Sequence, residues 1–224
     1  ADAPRAPAPR PGGDTLAVGG APGIQGVARA AMRLDADLVE ELVGRALRAD
    51  GVVAAWEGLA MPLLYGMGRK WEETRRYVEV EHLLSWCVSS ALRRVAASGP
   101  APTHRVRPVV LACGPAEMHS LPVEALAAAL RERALPHLVL GACTPVAATE
   151  RAVRRTAPRA VVLWSQVGGA GDLSALRAAA VAAARSPQAV RVYTAGAGWR
   201  SLTVRAAGGH LGSLSEAVRA LDPG

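Results

Sequence analysis

The chain has 224 residues, and 50% of them are hydrophobic although only 4% are aromatic and none is phenylalanine. This length and composition suffice for one large domain or two small ones, and no apolar stretch reaches the ~18 residues that a membrane-spanning helix needs. The formal net charge of +7 comes almost entirely from arginine, but the arginines are scattered, so the charge alone does not indicate a nucleic-acid groove.

Three cysteines, Cys87, Cys113 and Cys143, stand far apart in the sequence. They form no CxxC pair and show no zinc-ligand spacing. An odd count in a globular chain indicates reduced, mostly buried thiols, and we therefore expect a cytoplasmic location.

Residues 1–24 are rich in proline and contain no apolar core of a signal peptide. This composition predicts a disordered linker. Because the chain opens on a linker, we expect a further segment upstream of it.

Residues 25–99 show helical periodicity and predict a four-helix bundle. Asp35 is placed to cap the second helix, and Pro62 is expected to bend the third. The fourth helix is expected to stop at Gly99, which a proline follows.

Residues 104–224 change to short apolar runs that alternate with helical segments. Each apolar run is predicted to be a strand, with a short fifth strand within residues 201–209 and a final helix after it. The alternation predicts a Rossmann-like, doubly wound parallel sheet, so the fold class is a four-helix bundle followed by an α/β domain. Ligands of such sheets bind beyond the carboxyl ends of the strands.

Candidate residues follow the predicted strands. His119 lies in the loop after the first strand, two residues beyond Glu117. A metal-binding histidine usually has its second nitrogen held by a carboxylate or carbonyl, whereas the alternative for His119 is a helix-start residue bonded to the backbone. Ser165 ends the third strand, and Gly196 lies in a glycine-rich turn after the fourth.

Catalytic and nucleotide-binding signatures are missing from the sequence. The glycine-rich turn is not a GxGxxG fingerprint, and no Walker lysine is present. There is also no nucleophile elbow and no cluster of histidines and acids with metal-ligand spacing, so we expect the chain not to be an enzyme.

The stretch EMHSLP, residues 117–122, resembles the lower-ligand signature of cobalamin-binding domains, in which an acid, one residue, a histidine and two residues precede a glycine. Ser165-Gln166-Val167 is similar to the Ser-x-Leu of that family, and Ala195-Gly196 to its Gly-Gly. The resemblance implies that His119 binds the cobalt in place of the benzimidazole of cobalamin. It also implies that the nucleotide tail enters a slot beside the sheet, which Ser165, Val167 and Gly196 would line.

The helical half resembles the cap of light-responsive transcriptional regulators of the CarH and LitR type, because Trp71 is followed by nine residues and then by Glu81 and His82. These regulators carry a MerR-type helix-turn-helix module ahead of the bundle. The resemblance implies that Trp71, Val78, Glu81 and His82 surround the adenosyl group of adenosylcobalamin. It further implies a dimer or tetramer that light dissociates, and contact with DNA only through a missing N-terminal module.

Three positions depart from the family pattern: Pro122 replaces the glycine of the signature, Ala195 replaces the first glycine of the pair, and Glu72 replaces the histidine that follows the cap tryptophan. In that family this histidine takes the upper cobalt position after light. Glu72 cannot form that adduct, and His82 is the remaining candidate within the cap. Two alternatives stay open. The chain could be a corrinoid carrier of a methyltransferase system, which needs an open upper face, or an interaction module without a ligand.

Overall fold

The computed structural model of the chain describes residues 22–103, 105–167, 170–200 and 206–223. The first half is helical and the second half alternates strands with helices, so the predicted fold class is confirmed. The helices of the first half are α1 (Pro22–Met32), α2 (Ala36–Ala55), α3 (Met61–Thr74) and α4 (Val78–Ser98), with a π-helical turn, Trp56–Ala60, between α2 and α3.

The helix boundaries follow from local chemistry. The side chain of Asp35 accepts a hydrogen bond from the Leu38 backbone N–H at 3.1 Å, as expected of a cap. Gly51 has φ 78° and ψ 166°, and this left-handed residue breaks α2 into two pieces. Pro62 lies in the first turn of α3, where proline is tolerated. The irregular backbone therefore lies at Gly51 and in the π-helical turn, ahead of the predicted bend at Pro62.

The predicted linker lies almost entirely outside the described residues, because residues 1–21 are not among them. Residues 22–24 form the first turn of α1. The predicted end of the linker at residue 24 is therefore wrong by three residues.

The second half contains a five-stranded parallel sheet with strand order β2-β1-β3-β4-β5. The strands are β1 (Val109–Cys113), β2 (His137–Gly141), β3 (Ala160–Trp164), β4 (Arg191–Ala195) and β5 (His210–Leu211), and the helices are α5 (Leu121–Glu132), α6 (Val146–Thr156), α7 (Ala170–Ala184) and α8 (Leu214–Leu221). The fifth strand was predicted within residues 201–209. Residues 201–205 lie outside the described part, and 206–209 form a turn, so the prediction is wrong there.

Alternate strand residues divide between the two faces of the sheet. One face, which carries Leu111 and Val162, packs on α5 and α8 in one continuous core with the helical bundle. The opposite face, which carries Val110 and Leu163, packs on α6 and α7. The first core contains residues of both the bundle and the sheet domain, so the core does not separate two domains. The predicted domain boundaries therefore remain predictions.

Polar contacts also join the bundle to the sheet domain. The Glu132 carboxylate accepts the Val52 backbone N–H at 3.1 and 3.2 Å. Arg93 donates two hydrogen bonds to Glu124, at 3.1 and 3.0 Å. These contacts fix the bundle over one face of the sheet. In the described ranges, no helix has the length and apolar character needed to cross a bilayer.

Candidate functional site

A cavity of about 1260 Å³ lies between the bundle and the carboxyl ends of the strands. This volume exceeds the ~300–1,000 Å³ of most small-molecule pockets, so the cavity suits a large ligand. Most of the predicted site residues line it, from both halves of the chain: Trp71, Val78, Glu81, His82, His119, Val167 and Gly196. Glu117 and Ser165 are not among its lining residues.

His119 and Glu117 form a hydrogen-bonded pair at the edge of the sheet. Glu117 Oε1 lies 2.6 Å from His119 Nδ1 and 2.7 Å from the His119 backbone nitrogen. A carboxylate only accepts hydrogen bonds, so Nδ1 carries the proton and Nε2 keeps its lone pair. The geometry is that of a metal-binding histidine held by a carboxylate, and not that of a helix-start residue bonded to backbone alone.

The other oxygen of Glu117 joins two loops. Oε2 accepts the backbone N–H of Gln166 at 2.6 Å and that of Val167 at 3.1 Å. One buried carboxylate therefore fixes the loop after β1 to the loop after β3, which is the neighbouring strand.

These hydrogen bonds set the charge of Glu117. Burial by itself raises the pKa of the carboxyl group, but the hydrogen bonds from the His119 and Gln166 backbones, the His119 ring and the Val167 backbone outweigh it, and the pKa lies below its ordinary value of 4.5. Glu117 is therefore ionised at neutral pH and holds His119 in one orientation.

The donor set fits a cofactor that carries its own metal. Within the described residues, no three His, Cys, Asp or Glu side chains are grouped so that they could hold a metal ion. His119 therefore offers a single nitrogen to the cavity. A macrocycle that fills the other positions of its metal needs only such an axial ligand, as haem proteins illustrate.

Ser165 has a buried hydrogen-bond partner on α7. Its Oγ donates to Asp172 Oδ2 at 2.7 Å, and both side chains are buried. Asp172 lies in the first turn of α7, where the helix dipole favours a carboxylate. The Ser165 side chain thus contacts α7 and not the cavity, and its contact with a cofactor remains a prediction.

Gly114 and Gly196 permit close packing around this serine. A Cβ atom at Gly114 would lie 1.8 Å from Asp172 Oδ1, and one at Gly196 would lie 2.2 Å from the Ser165 carbonyl oxygen. Gly196 also has φ 101°, which favours glycine. Both positions therefore require glycine for local geometry.

The upper wall of the cavity comes from the α3–α4 corner. Trp71 lies in the last turn of α3, which continues to Thr74. The Arg75 guanidinium lies 4.4 Å from the centroid of the Trp71 ring. Val78 is the first residue of α4 and Glu72 follows Trp71 in the same wall. The indole is 38% exposed, so part of its surface is available to a ligand.

His82 lies one turn after Val78, with Glu81 beside it. Its Nδ1 is 2.9 Å from the Val78 carbonyl oxygen and 3.1 Å from Glu81 Oε2. Both partners are acceptors, so Nδ1 carries the proton and Nε2 is the nitrogen left to a ligand. The described histidines that line the cavity are thus His82 on the bundle side and His119 and His210 on the sheet side.

Pro122 is compatible with the local backbone. It occupies the first turn of α5, where its missing N–H costs no helical hydrogen bond. The Ser120 backbone N–H donates to the Met118 carbonyl at 2.9 Å, which closes the loop just ahead of the helix. The departure from the glycine of the family signature is therefore accommodated.

Three tryptophans of the cavity wall, Trp56, Trp86 and Trp164, were not singled out from the sequence. Trp86 is 74% exposed and follows His82 by four residues, which is one helical turn. This spacing places both residues on the same face of α4 and could have identified Trp86 from the sequence. Trp164 ends β3, and its side chain also lines the cavity. The excess of tryptophan over other aromatic residues is consistent with a role in ligand contact.

The chain is similar to known proteins over its helical half and over most of its length. Residues 24–95 match the family model of the B12 binding domain. The HTH-type transcriptional repressor CarH of Myxococcus xanthus is 30% identical over 172 residues, which are 75% of this chain and 55% of the relative. The chain thus spans about half the length of this relative.

The structure of the monomethylamine corrinoid protein of Methanosarcina barkeri superimposes with a TM-score of 0.65 at 12% identity, and the match covers 86% of this chain and 93% of that protein. At this identity the likeness shows a shared fold. The resemblance to CarH-type regulators is confirmed by the 30% identity to this relative, and the helical half, residues 24–95, is similar to the B12 binding domain.

Proposed function

We propose that the chain is the adenosylcobalamin-binding sensor region of a light-responsive transcriptional regulator. The observation that carries the proposal is a single cavity faced by His119 on the sheet side and by Trp71, Glu81 and His82 on the bundle side. A corrin lying flat in this cavity would have one face toward the sheet and the other toward the bundle.

On the sheet side, His119 would supply Nε2 to the cobalt, because its Nδ1 is held by the ionised Glu117. Val167 would contact the edge of the corrin, since it is exposed at the rim of the cavity. Gly196 would let a flat group approach the backbone.

On the bundle side, Trp71 and Val78 would pack on the adenosyl group, and Glu81 would accept hydrogen bonds from its polar edge. Arg75 lies over the Trp71 ring, and the part of the ring that stays exposed suits a purine. When bound, adenosylcobalamin supplies a light-labile carbon–cobalt bond. In this arrangement the cap residues would contact the adenosyl group. Loss of that group would therefore remove the contacts that favour the ligand-bound conformation over the other.

The same proposal covers partners and location. We expect adenosylcobalamin in the dark to favour a dimer or tetramer, and DNA binding to need a helix-turn-helix module outside this chain, as the name of the CarH relative implies for that protein. We place the protein in the cytoplasm and assign it no enzymatic activity.

The test mixes the ligand-free chain with adenosylcobalamin in the dark, removes free ligand, and records the visible spectrum and the molecular size before and after green light. We expect a bound spectrum in which a protein histidine has replaced the benzimidazole, with both spectrum and size changing on illumination. His119→Ala should lose the histidine spectrum, whereas Trp71→Ala should keep it and lose the change in size. A size that is the same with and without ligand, in dark and in light, would contradict the switch.

A corrinoid carrier of a methyltransferase system is the second candidate, and the shared fold with the monomethylamine corrinoid protein favours it. A carrier must expose the upper face to a partner enzyme, and here the cap residues Trp71 and His82 occupy that side. Transfer of a methyl group from the methylcobalamin-loaded chain to a thiol acceptor would support the carrier and count against the sensor.

A further inference from the structure

The cavity has a deep apolar end between the sheet, α5 and α8. Leu111 and Val162 project into it from the strands, Leu126 from α5 and Ala217 from α8, and all four side chains are buried. The cavity therefore reaches the core between the sheet and its covering helices. A flat, largely apolar group is the kind of ligand that such a slot accepts.

Trp164 stands where this slot meets the open part of the cavity. It is the last residue of β3 and lies between Cys113 of β1 and Ala195 of β4 in the register of the sheet. A Cβ atom at Gly196 would lie 3.1 Å from Trp164 Cε3, so the indole packs against the turn after β4. The ring has little room to move toward that turn.

The indole nitrogen of Trp164 is an unsatisfied donor. Nε1 is buried and has no hydrogen-bond partner within the described part of the chain. A buried N–H without an acceptor is unfavourable, and most such groups in proteins are paired. An acceptor on a bound ligand would satisfy it without any change in the fold.

We infer that Trp164 is a specificity-determining residue that donates its Nε1–H to an acceptor on the nucleotide tail of the cobalamin, either a base nitrogen or an oxygen of the sugar phosphate. The inference rests on the proposed function and deepens it. It makes the chain select corrinoids that carry a nucleotide tail over those that lack one. Ligand contacts in the open upper part of the cavity do not depend on this hydrogen bond.

Trp164→Phe tests the inference, because it keeps an aromatic ring and removes only the N–H and the size of the second ring. Trp199→Phe is the matched control. Trp199 Nε1 is also buried without a partner among the described residues, yet Trp199 is not one of the described residues that line the cavity. Binding of hydroxocobalamin and of cobinamide, which lacks the nucleotide tail, is measured for all three proteins by absorbance titration.

We expect Trp164→Phe to weaken hydroxocobalamin binding about tenfold, the effect of one lost hydrogen bond, and to leave cobinamide binding unchanged. Trp199→Phe should change neither. Unchanged hydroxocobalamin binding by a folded Trp164→Phe variant, or an equal loss for both corrinoids, would overturn the inference. Failure of the unmodified chain to bind either corrinoid would overturn the proposed function itself.

A second measurement needs no folded variant. In the ¹H–¹⁵N spectrum of the unmodified chain, the Trp164 indole resonance should move downfield on binding hydroxocobalamin and stay in place on binding cobinamide. A Trp164 resonance that responds identically to both ligands would overturn the inference.

Discussion

Glu117 Oε1 accepts two hydrogen bonds from His119, one from the backbone N–H at 2.7 Å and one from Nδ1 at 2.6 Å. The same carboxylate accepts two further backbone hydrogen bonds from the loop after β3. Because Glu117 is buried while the His119 side chain is 61% exposed, the buried acid holds an exposed ligand in place. The position of His119 therefore depends on one carboxylate.

Glu117→Gln should weaken cobalamin binding about 10- to 100-fold, the usual effect of removing the group that orients a metal-binding histidine. A glutamine amide must turn its NH₂ group toward either His119 or the two backbone donors of the β3 loop, so some donors lose their acceptor. The dissociation constant is measured by absorbance titration. Glu150→Gln is the control, because Glu150 pairs with Arg154 on the surface of α6, away from the cavity-lining residues that the structure describes. An affinity equal to that of the unmodified chain would show that the pair does not position His119.

Stability should depend on pH through the same residue. The pKa of Glu117 in the folded chain lies below 4.5, so its contribution to the free energy of unfolding is fully present above that pH and is lost as the pH falls through the folded-state value. The measurement is urea unfolding of the ligand-free chain at pH 7 and at pH 3. We expect the loss of stability to be smaller in Glu117→Gln than in the unmodified chain. Equal losses would mean that Glu117 does not contribute to acid sensitivity.

Gly114→Ala should destabilise the fold by about 1–3 kcal/mol, because an added methyl group would overlap the Asp172 carboxylate. Thermal unfolding measures the effect. Gly58→Ala is the control, since a Cβ atom there meets nothing within 4 Å. Equal melting temperatures of the two variants would contradict the packing described at Ser165 and Asp172.

Thiol reactivity should distinguish the three cysteines. Cys143 is exposed, whereas Cys87 and Cys113 are buried. Burial raises the pKa of Cys87, and burial followed by the nearby Glu117 charge raises that of Cys113 to about 12. Ellman's reagent at pH 8 should therefore modify one thiol in the folded chain and three after unfolding. Cys143→Ser should abolish the reaction of the folded chain, and a second fast-reacting thiol in that variant would contradict the described burial.

Much of the fold follows from local patterns in the sequence. The helical periodicity, the cap at Asp35 and the alternation of strands with helices are properties of short segments, and the structure contains each of them. In the described part of the chain, the fifth strand consists of His210 and Leu211, beyond the residues 206–209 that were predicted to be part of it. So short a strand leaves no periodic signal in the sequence.

The pairing of His119 with Glu117 was an open question from sequence, since side chains two residues apart do not always meet. A tight loop, closed by the Glu117 N–H to the Gly114 carbonyl at 3.0 Å, brings them together. The partner of Ser165 and the unsatisfied indole of Trp164 could not be predicted, because both depend on contacts between distant elements. The cap residues were found by resemblance, and the structure places them on the same cavity as His119.

The central claim is that His119 binds the cobalt of a cobalamin in this cavity, and the visible spectrum of the bound cofactor tests it most directly. Hydroxocobalamin is bound to the unmodified chain and to His119→Ala, and free ligand is removed from both. The account predicts a spectrum of histidine-ligated cobalt without bound benzimidazole for the unmodified chain, and its loss in His119→Ala. Identical spectra of the two proteins, or no retained cofactor in the unmodified chain, would contradict it.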